Sequence, residues 1–235
     1  MVKQAIQDLL TLQAEDLRIR ELKTRLMSIP RERAALVAEF DVVRKGLEKA
    51  KQNKLKVEQA IKQQAAATQA AQEKLQALKI KSSSIKKINE YNAILAEIET
   101  AKKNISDSET REIELMDEQE AAEKMLAKAE RSYKATGRTV QAEVRELDSL
   151  KEAIAKEIAE RENRSAELAK NVISNYLEPY RRMLAGGKGS PVGTIRNGSC
   201  SNCNMKNSPQ TVMEAKNGNL VQCDNCSFFL YDPEA

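Results

Sequence analysis

The chain has 235 residues, with 39 basic and 35 acidic side chains for a net charge of +4, 31% charged residues, 3% aromatic residues and neither Trp nor His. So few aromatic side chains against so many charges exclude a broad globular core and favour long amphipathic helices. The small net charge is the difference of two large totals and carries no nucleic-acid signature of its own. The opening residues, Met1-Val2-Lys3-Gln4, run into Ala5-Ile6-Gln7-Asp8 without the apolar core and cleavage site of a secretion signal. No apolar run approaches the roughly 18 to 20 residues that span a bilayer, so a cytoplasmic location is expected.

Taken in chain order, the first apolar pattern is Leu12, Ile19, Leu22, Leu26 and Ile29, the start of a helical stalk. From Leu36 the apolar residues recur at steps of four and three: Phe40, Val43, Leu47, Ala50, Val57, Ile61, Ala71, Leu75 and Leu78. That rhythm is a heptad seam, with Lys54, Gln64 and Thr68 at its polar positions. Residues 79–89, KIKSSSIKKIN, break it, and the three serines predict a hairpin tip whose hydroxyls cap the following helix. A second seam runs Tyr91, Ile94, Ile98, Ala101, Ile105, Leu115, Ala122, Leu126, Ala129 and Tyr133, with Ser108, Glu112 and Gln119 as its polar members. Val140, Val144, Leu147, Ile154, Ile158, Leu168 and Val172 then supply the return partner of the N-terminal stalk.

Two features suggest how the arms align. Pro30 and Gly137 are equidistant from a midpoint between Ser83 and Ser84, so the reading places these two helix breakers opposite each other, at a kink. Residues 44–63 carry seven basic and two acidic side chains, and reflection about that midpoint sets them beside residues 104–123, with eight acidic and one basic. An opposed pattern of that length favours antiparallel pairing within one chain. The fold class expected is mainly α: a long antiparallel coiled-coil hairpin with a kink over residues 1–185, followed by a small β module over 186–235.

Pro179, Gly186, Gly187, Gly189 and Pro191 mark the passage into that module, which holds all four cysteines of the chain. Disulfides, a redox pair of CxxC sites and a single metal site compete to explain them. A cytoplasmic chain disfavours disulfides, and the βαβ context of redox CxxC sites is missing. Cys200-x2-Cys203 and Cys223-x2-Cys226, nineteen residues apart, have the spacing of a zinc ribbon. A module of about 50 residues with few large apolar side chains needs such a staple. One structural Zn2+ held by Cys200, Cys203, Cys223 and Cys226 is therefore expected. Asn217-Gly218 reads as the tight turn between two ribbon strands. Phe228, Phe229 and Tyr231 read as packing beneath the metal site in preference to docking a partner.

With arms, tip and knuckles in view, the chain resembles the bacterial family of coiled-coil proteins that end in a C4-type zinc ribbon. The resemblance rests on Glu90-Tyr91-Asn92-Ala93-Ile94-Leu95-Ala96-Glu97-Ile98-Glu99, on Gly198-Ser199-Cys200-x2-Cys203-x-Met205 with Pro209-Gln210 behind it, and on Cys223-x2-Cys226 before Leu230-Tyr231. Ser227 departs from the family's usual glycine after the last cysteine, which predicts strain if that residue needs positive φ. The resemblance implies binding to an RpoN-type sigma factor or to flagellar and type III secretion components, and for one member a link to messenger RNA.

An enzyme is not expected, because the chain lacks His, a phosphate-binding glycine loop and any cysteine outside the knuckles. The leading expectation is a protein-binding adaptor or chaperone-like protein. The alternative is an RNA- or DNA-binding regulator using the basic tip, the ribbon or both; at the tip Lys79, Lys81, Lys86 and Lys87, with Lys74, stand in a stretch free of acidic residues. The ribbon itself balances four basic residues (Lys188, Arg196, Lys206, Lys216) against four acidic ones, which weakens that alternative.

Overall fold

Heptad sequences of this length form helices because each turn buries one face and exposes the rest. In the computed structural model, which describes residues 2–187 and 189–235, α1 spans Val2–Ser82 and α2 spans Ile88–Ala169. Lys188 of the ribbon's charge balance lies outside the described residues. The two helices pack antiparallel, and the chain divides into two compact units: one takes the chain up to Arg33 and from Arg145 onward, the other Ala34–Val144. No helix among the described residues is long and apolar enough to cross a membrane.

In Ala34–Val144 the seam follows the heptad pattern closely. Leu47, Val57, Leu78, Ile94, Ile98, Ala101, Leu115 and Ala122 are buried, and the polar seam position Thr68 is buried with them. The polar positions meet one another: the Thr68 hydroxyl donates to Glu112 at 2.6 Å, and the Gln64 amide to the Ser108 carbonyl at 3.4 Å. This satisfies polar groups that would otherwise weaken the seam. Tyr91 is the exception to the pattern, since it remains 41% exposed.

The register departs from the sequence expectation. The turn occupies residues 83–87 and is centred on Ile85, not between Ser83 and Ser84. Lys54 reaches Glu123 at 3.7 Å, and the Phe40 and Tyr133 rings lie 5.0 Å apart, so the facing residue of α2 lies about two turns further along than simple reflection gives. Gly137 consequently faces Phe40: a Cβ added there would lie 3.2 Å from the ring, so this glycine makes room for the aromatic pair. Ile29, next to Pro30, packs instead with Ile154 and Ile158. The two breakers therefore have different partners, and neither ends its helix.

The serines also act on the other side of the turn. Ser82, Ser83 and Ser84 donate their hydroxyls to the carbonyls of Lys79, Ile80 and Lys81 at 2.7, 2.7 and 2.9 Å. They satisfy the orphan acceptors at the end of α1, and do not cap α2. The opposed charges of the arms act mostly as a diffuse field. Among the described residues of 44–63, Lys54–Glu123 is the ion pair that crosses to α2, while Arg44–Asp41 and Lys54–Glu58 stay within one helix.

The other unit joins the lower parts of α1 and α2 to α3, Ser174–Ala185, and to the C-terminal module. The module's four-stranded sheet has the order β2-β1-β4-β3, with β1 Val192–Arg196, β2 Ser199–Cys200, β3 Val221–Gln222 and β4 Phe229–Tyr231. The β1–β4 pair is parallel and the outer pairs are antiparallel. One of its cores draws on every part of the unit: Leu9 and Leu12 of α1, Ala169 and Val172 at the end of α2, Tyr180 of α3, and Val192 and Phe229 of the sheet. Phe229 is 3% exposed and meets Tyr176 edge-on at 5.8 Å, so it is packed, but it and Tyr231 join the core made with α1 and α3 and not the cluster around the cysteines.

Polar groups fix the same arrangement. The Gln13 amide accepts from the Val192 N–H at 2.6 Å and donates to the Val192 carbonyl at 2.9 Å, occupying both backbone groups of one strand residue from a helix. Asp16 accepts from Tyr180 at 2.7 Å and from Ser165 at 2.6 Å. Burial, and then the bond to Asp16, push the Tyr180 phenol well above its ordinary pKa. Arg20 donates to the Gly189 carbonyl at 3.2 Å. Glu15, buried, pairs with Arg161 at 2.8 Å and Arg164 at 3.3 Å.

Candidate metal centre

Each CxxC forms a tight knuckle, and the two are built alike. In the first, the Asn204 N–H donates to the Cys200 carbonyl at 2.9 Å and the Cys200 N–H to the Met205 carbonyl at 3.0 Å. In the second, the Ser227 N–H donates to the Cys223 carbonyl at 2.9 Å and the Cys223 N–H to the Phe228 carbonyl at 2.8 Å. The residue after the second cysteine turns left-handed in both, with φ of 60° at Asn204 and at Ser227. Asn tolerates that conformation through its short polar side chain, whereas Ser does so at greater cost. The strain anticipated at Ser227 is thus located.

The knuckles bring all four sulfurs within 4.8 Å of one another. Cys200 Sγ lies 3.8 Å from Cys226 Sγ, and Cys203 Sγ lies 3.7 Å from Cys223 Sγ. A tetrahedron with metal–sulfur distances of about 2.3 Å has sulfur–sulfur edges of about 3.8 Å. Disulfide sulfurs would sit at about 2.05 Å, so the arrangement fits a metal and not two disulfides. Cys200 and Cys223 are buried, and Cys203 and Cys226 are half-buried. Ile195, Ala215, Val221 and Leu230 pack around them as a second small core.

Burial raises the Cys200 thiol, and pushes Cys226 up to about 12. At Cys223 burial acts in the same direction, but N–H groups of Cys226 and Asn225 and the neighbouring thiols bring it down to about 7. One thiolate is thus favoured by the protein's own dipoles, and a cation at the centre would favour all four.

The spacer between the knuckles differs from the expected hairpin. Residues 209–216 form a helix, α4, Pro209–Lys216. Ser208 caps it by accepting from the Thr211 N–H, Pro209 occupies its first turn, and Asn217 with Gly218 ends it, Gly218 having φ of 80°. The Asn217-Gly218 pair is therefore a helix stop, not a strand turn. Asp224, inside the second knuckle, accepts from the Ser208 N–H at 2.7 Å and the Thr211 hydroxyl at 3.0 Å. These bonds, the Ser208 N–H foremost, hold its carboxyl below its ordinary pKa. The clasp ties α4 and the first knuckle to the second.

Away from the metal centre, Lys79, Lys81, Lys86 and Lys87 are all exposed at the turn. Lys87 pairs with Glu90 at 3.2 Å, and among the described residues no ion pair engages the other three.

No family model and no curated protein sequence matches the chain. Among solved structures, CT398 from Chlamydia trachomatis is similar over 97% of each chain, with 25% identity and a TM-score of 0.81. A Mycobacterium smegmatis protein is similar over 98% of each chain, with 16% identity and a TM-score of 0.65. These likenesses support the mainly α fold with its small C-terminal β element.

Proposed function

We propose that this chain is a non-enzymatic zinc-ribbon coiled-coil protein that acts as an adaptor or chaperone-like factor for protein partners. The observation that carries the reading is the candidate metal centre: four thiols within 4.8 Å of one another, two of whose sulfur–sulfur distances, 3.8 and 3.7 Å, match the edge of a sulfur tetrahedron around a metal. Zinc is the metal best suited to four thiolates in that geometry, and when bound it supplies cross-linking of the two knuckles. Four protein ligands leave no position for water or substrate, so the site builds the fold and does not catalyse. The chain's concentration of reactive side chains is then consumed in structure, which leaves its surfaces as the functional parts.

By the family resemblance, the partners proposed are an RpoN-type sigma factor or secretion and flagellar components. RNA or DNA bound at the basic tip is the second reading, favoured by the exposure of Lys79, Lys81 and Lys86. Affinity capture from the cytoplasm of the source organism, with and without nuclease, separates the two. Protein partners that survive nuclease support the adaptor, whereas recovery of nucleic acid with loss of those partners supports the alternative.

A further inference from the structure

The apolar pattern of α2 begins before its partner helix can cover it. At the turn, Ile85 folds in with Leu75, Leu78, Ile94 and Ile98 and closes the seam. Ile88, Tyr91 and Leu95 stay outside, 76%, 41% and 40% exposed, although Tyr91 continues the 3,4 rhythm. Their spacing of three and then four residues places them on one face of the first two turns of α2. Nothing in the local chemistry of the turn requires these residues to be large and apolar. Lys86 and Lys87 directly precede Ile88 in the turn and Lys79 and Lys81 stand in the last turn of α1; all four are exposed, and among the described residues only Lys87 is engaged by an acid.

We infer that this face of the tip, Ile88, Tyr91 and Leu95 flanked by the lysines of residues 79–87, docks an acidic amphipathic helix of a partner protein. This rests on the adaptor reading above and identifies the chemistry of its partner. A helix presenting apolar residues at three- and four-residue spacing would cover the stripe and extend the seam beyond Ile85. Carboxylates on its flank would meet the lysines, which steer the encounter and select against basic partners. Single-stranded nucleic acid fits the surface less well, since two of the three apolar anchors are aliphatic and offer no stacking platform for bases.

The test uses the full chain with a photo-crosslinking residue at Tyr91 (Tyr91→p-benzoylphenylalanine), irradiated in nuclease-treated cytoplasmic extract of the source organism, with the crosslinked peptide sequenced. The expected adduct is a protein segment of net negative charge with apolar residues at helical spacing. Its yield should fall at least tenfold when Lys79, Lys81, Lys86 and Lys87 are reversed to Glu, and at least tenfold in a separate Ile88→Ser, Leu95→Ser variant. Both variants alter exposed side chains, so their helical signal and thermal unfolding should match the parent, which separates loss of docking from loss of fold. An adduct on nucleic acid without nuclease treatment, an adduct on a basic segment, or no adduct would each overturn the inference. Partners still captured by the chain with no tip adduct would sink this surface alone and leave the adaptor standing; loss of every partner on nuclease treatment would sink both.

Discussion

Replacing Gln13 by Ala should loosen the metal-bearing module from α1 without touching a single metal ligand. Gln13 and Val192 are 8% and 2% exposed, and the Gln13 amide is bonded to both the N–H and the carbonyl of Val192. Truncation leaves both backbone groups buried and unpartnered, at about 1–3 kcal/mol for each. Water admitted to the vacated space would recover part of this, so a net loss of about 2–4 kcal/mol is expected. That corresponds to roughly 30- to 1000-fold faster opening of β1. Hydrogen exchange followed by mass spectrometry on peptides covering residues 190–196 reads this directly, with peptides from Ala34–Val144 as the internal control. Gln13→Glu keeps the acceptor but removes the donor and sets a carboxylate against the Val192 carbonyl, so at neutral pH it should be at least as damaging. If exchange in residues 190–196 stays within about threefold of the parent for Gln13→Ala, the two-bond clip does not hold the module and the reasoning fails.

Cys223→Ser should abolish metal binding and remove exchange protection from residues 191–231, while the far-UV signal of α1 and α2 falls by less than a tenth; a general collapse of helicity would show that the metal centre supports the whole chain. Tyr180 has a raised folded-state pKa, so its contribution is fully present below the ordinary tyrosine value of about 10 and is lost as pH rises above it. Thermal melts should therefore decline above about pH 10 in the parent, and Tyr180→Phe should start about 1 kcal/mol lower with that alkaline decline reduced; an unchanged pH profile would contradict this. Spin labels introduced at positions 54 and 123 by chemistry that spares the native thiols should report a short intramolecular distance insensitive to dilution, and shorter than that between positions 50 and 117.

The seams were legible because a period of three and four residues is a local property, and nearly every position it marked, from Leu36 to Leu78 and from Ile94 to Val172, lies buried or half-buried. The metal ligands were legible for the same reason, since two CxxC pairs need no tertiary knowledge. Register was not, because heptads repeat and a seam fits its partner almost equally well one or two turns away. Only the true position of the turn, at residues 83–87, and packing such as Gly137 against Phe40 fix it. Helix α4 had a readable signal in Ser208-Pro209, an N-cap followed by a proline at the first helical position, but Asn217-Gly218 is equally a hairpin turn and a helix stop. Gln13 and Glu15 gave no sign of their burial, because what covers them lies 179 and 146 residues away in the chain.

The measurement nearest the centre of the account is X-ray absorption on freshly purified protein, which counts and identifies the atoms around the metal. The expected centre is zinc with four sulfur neighbours at about 2.3 Å and no nitrogen or oxygen neighbour. A centre without metal, or one with three or fewer sulfurs and an oxygen in the remaining position, would contradict it, and an open coordination position would return catalysis to consideration.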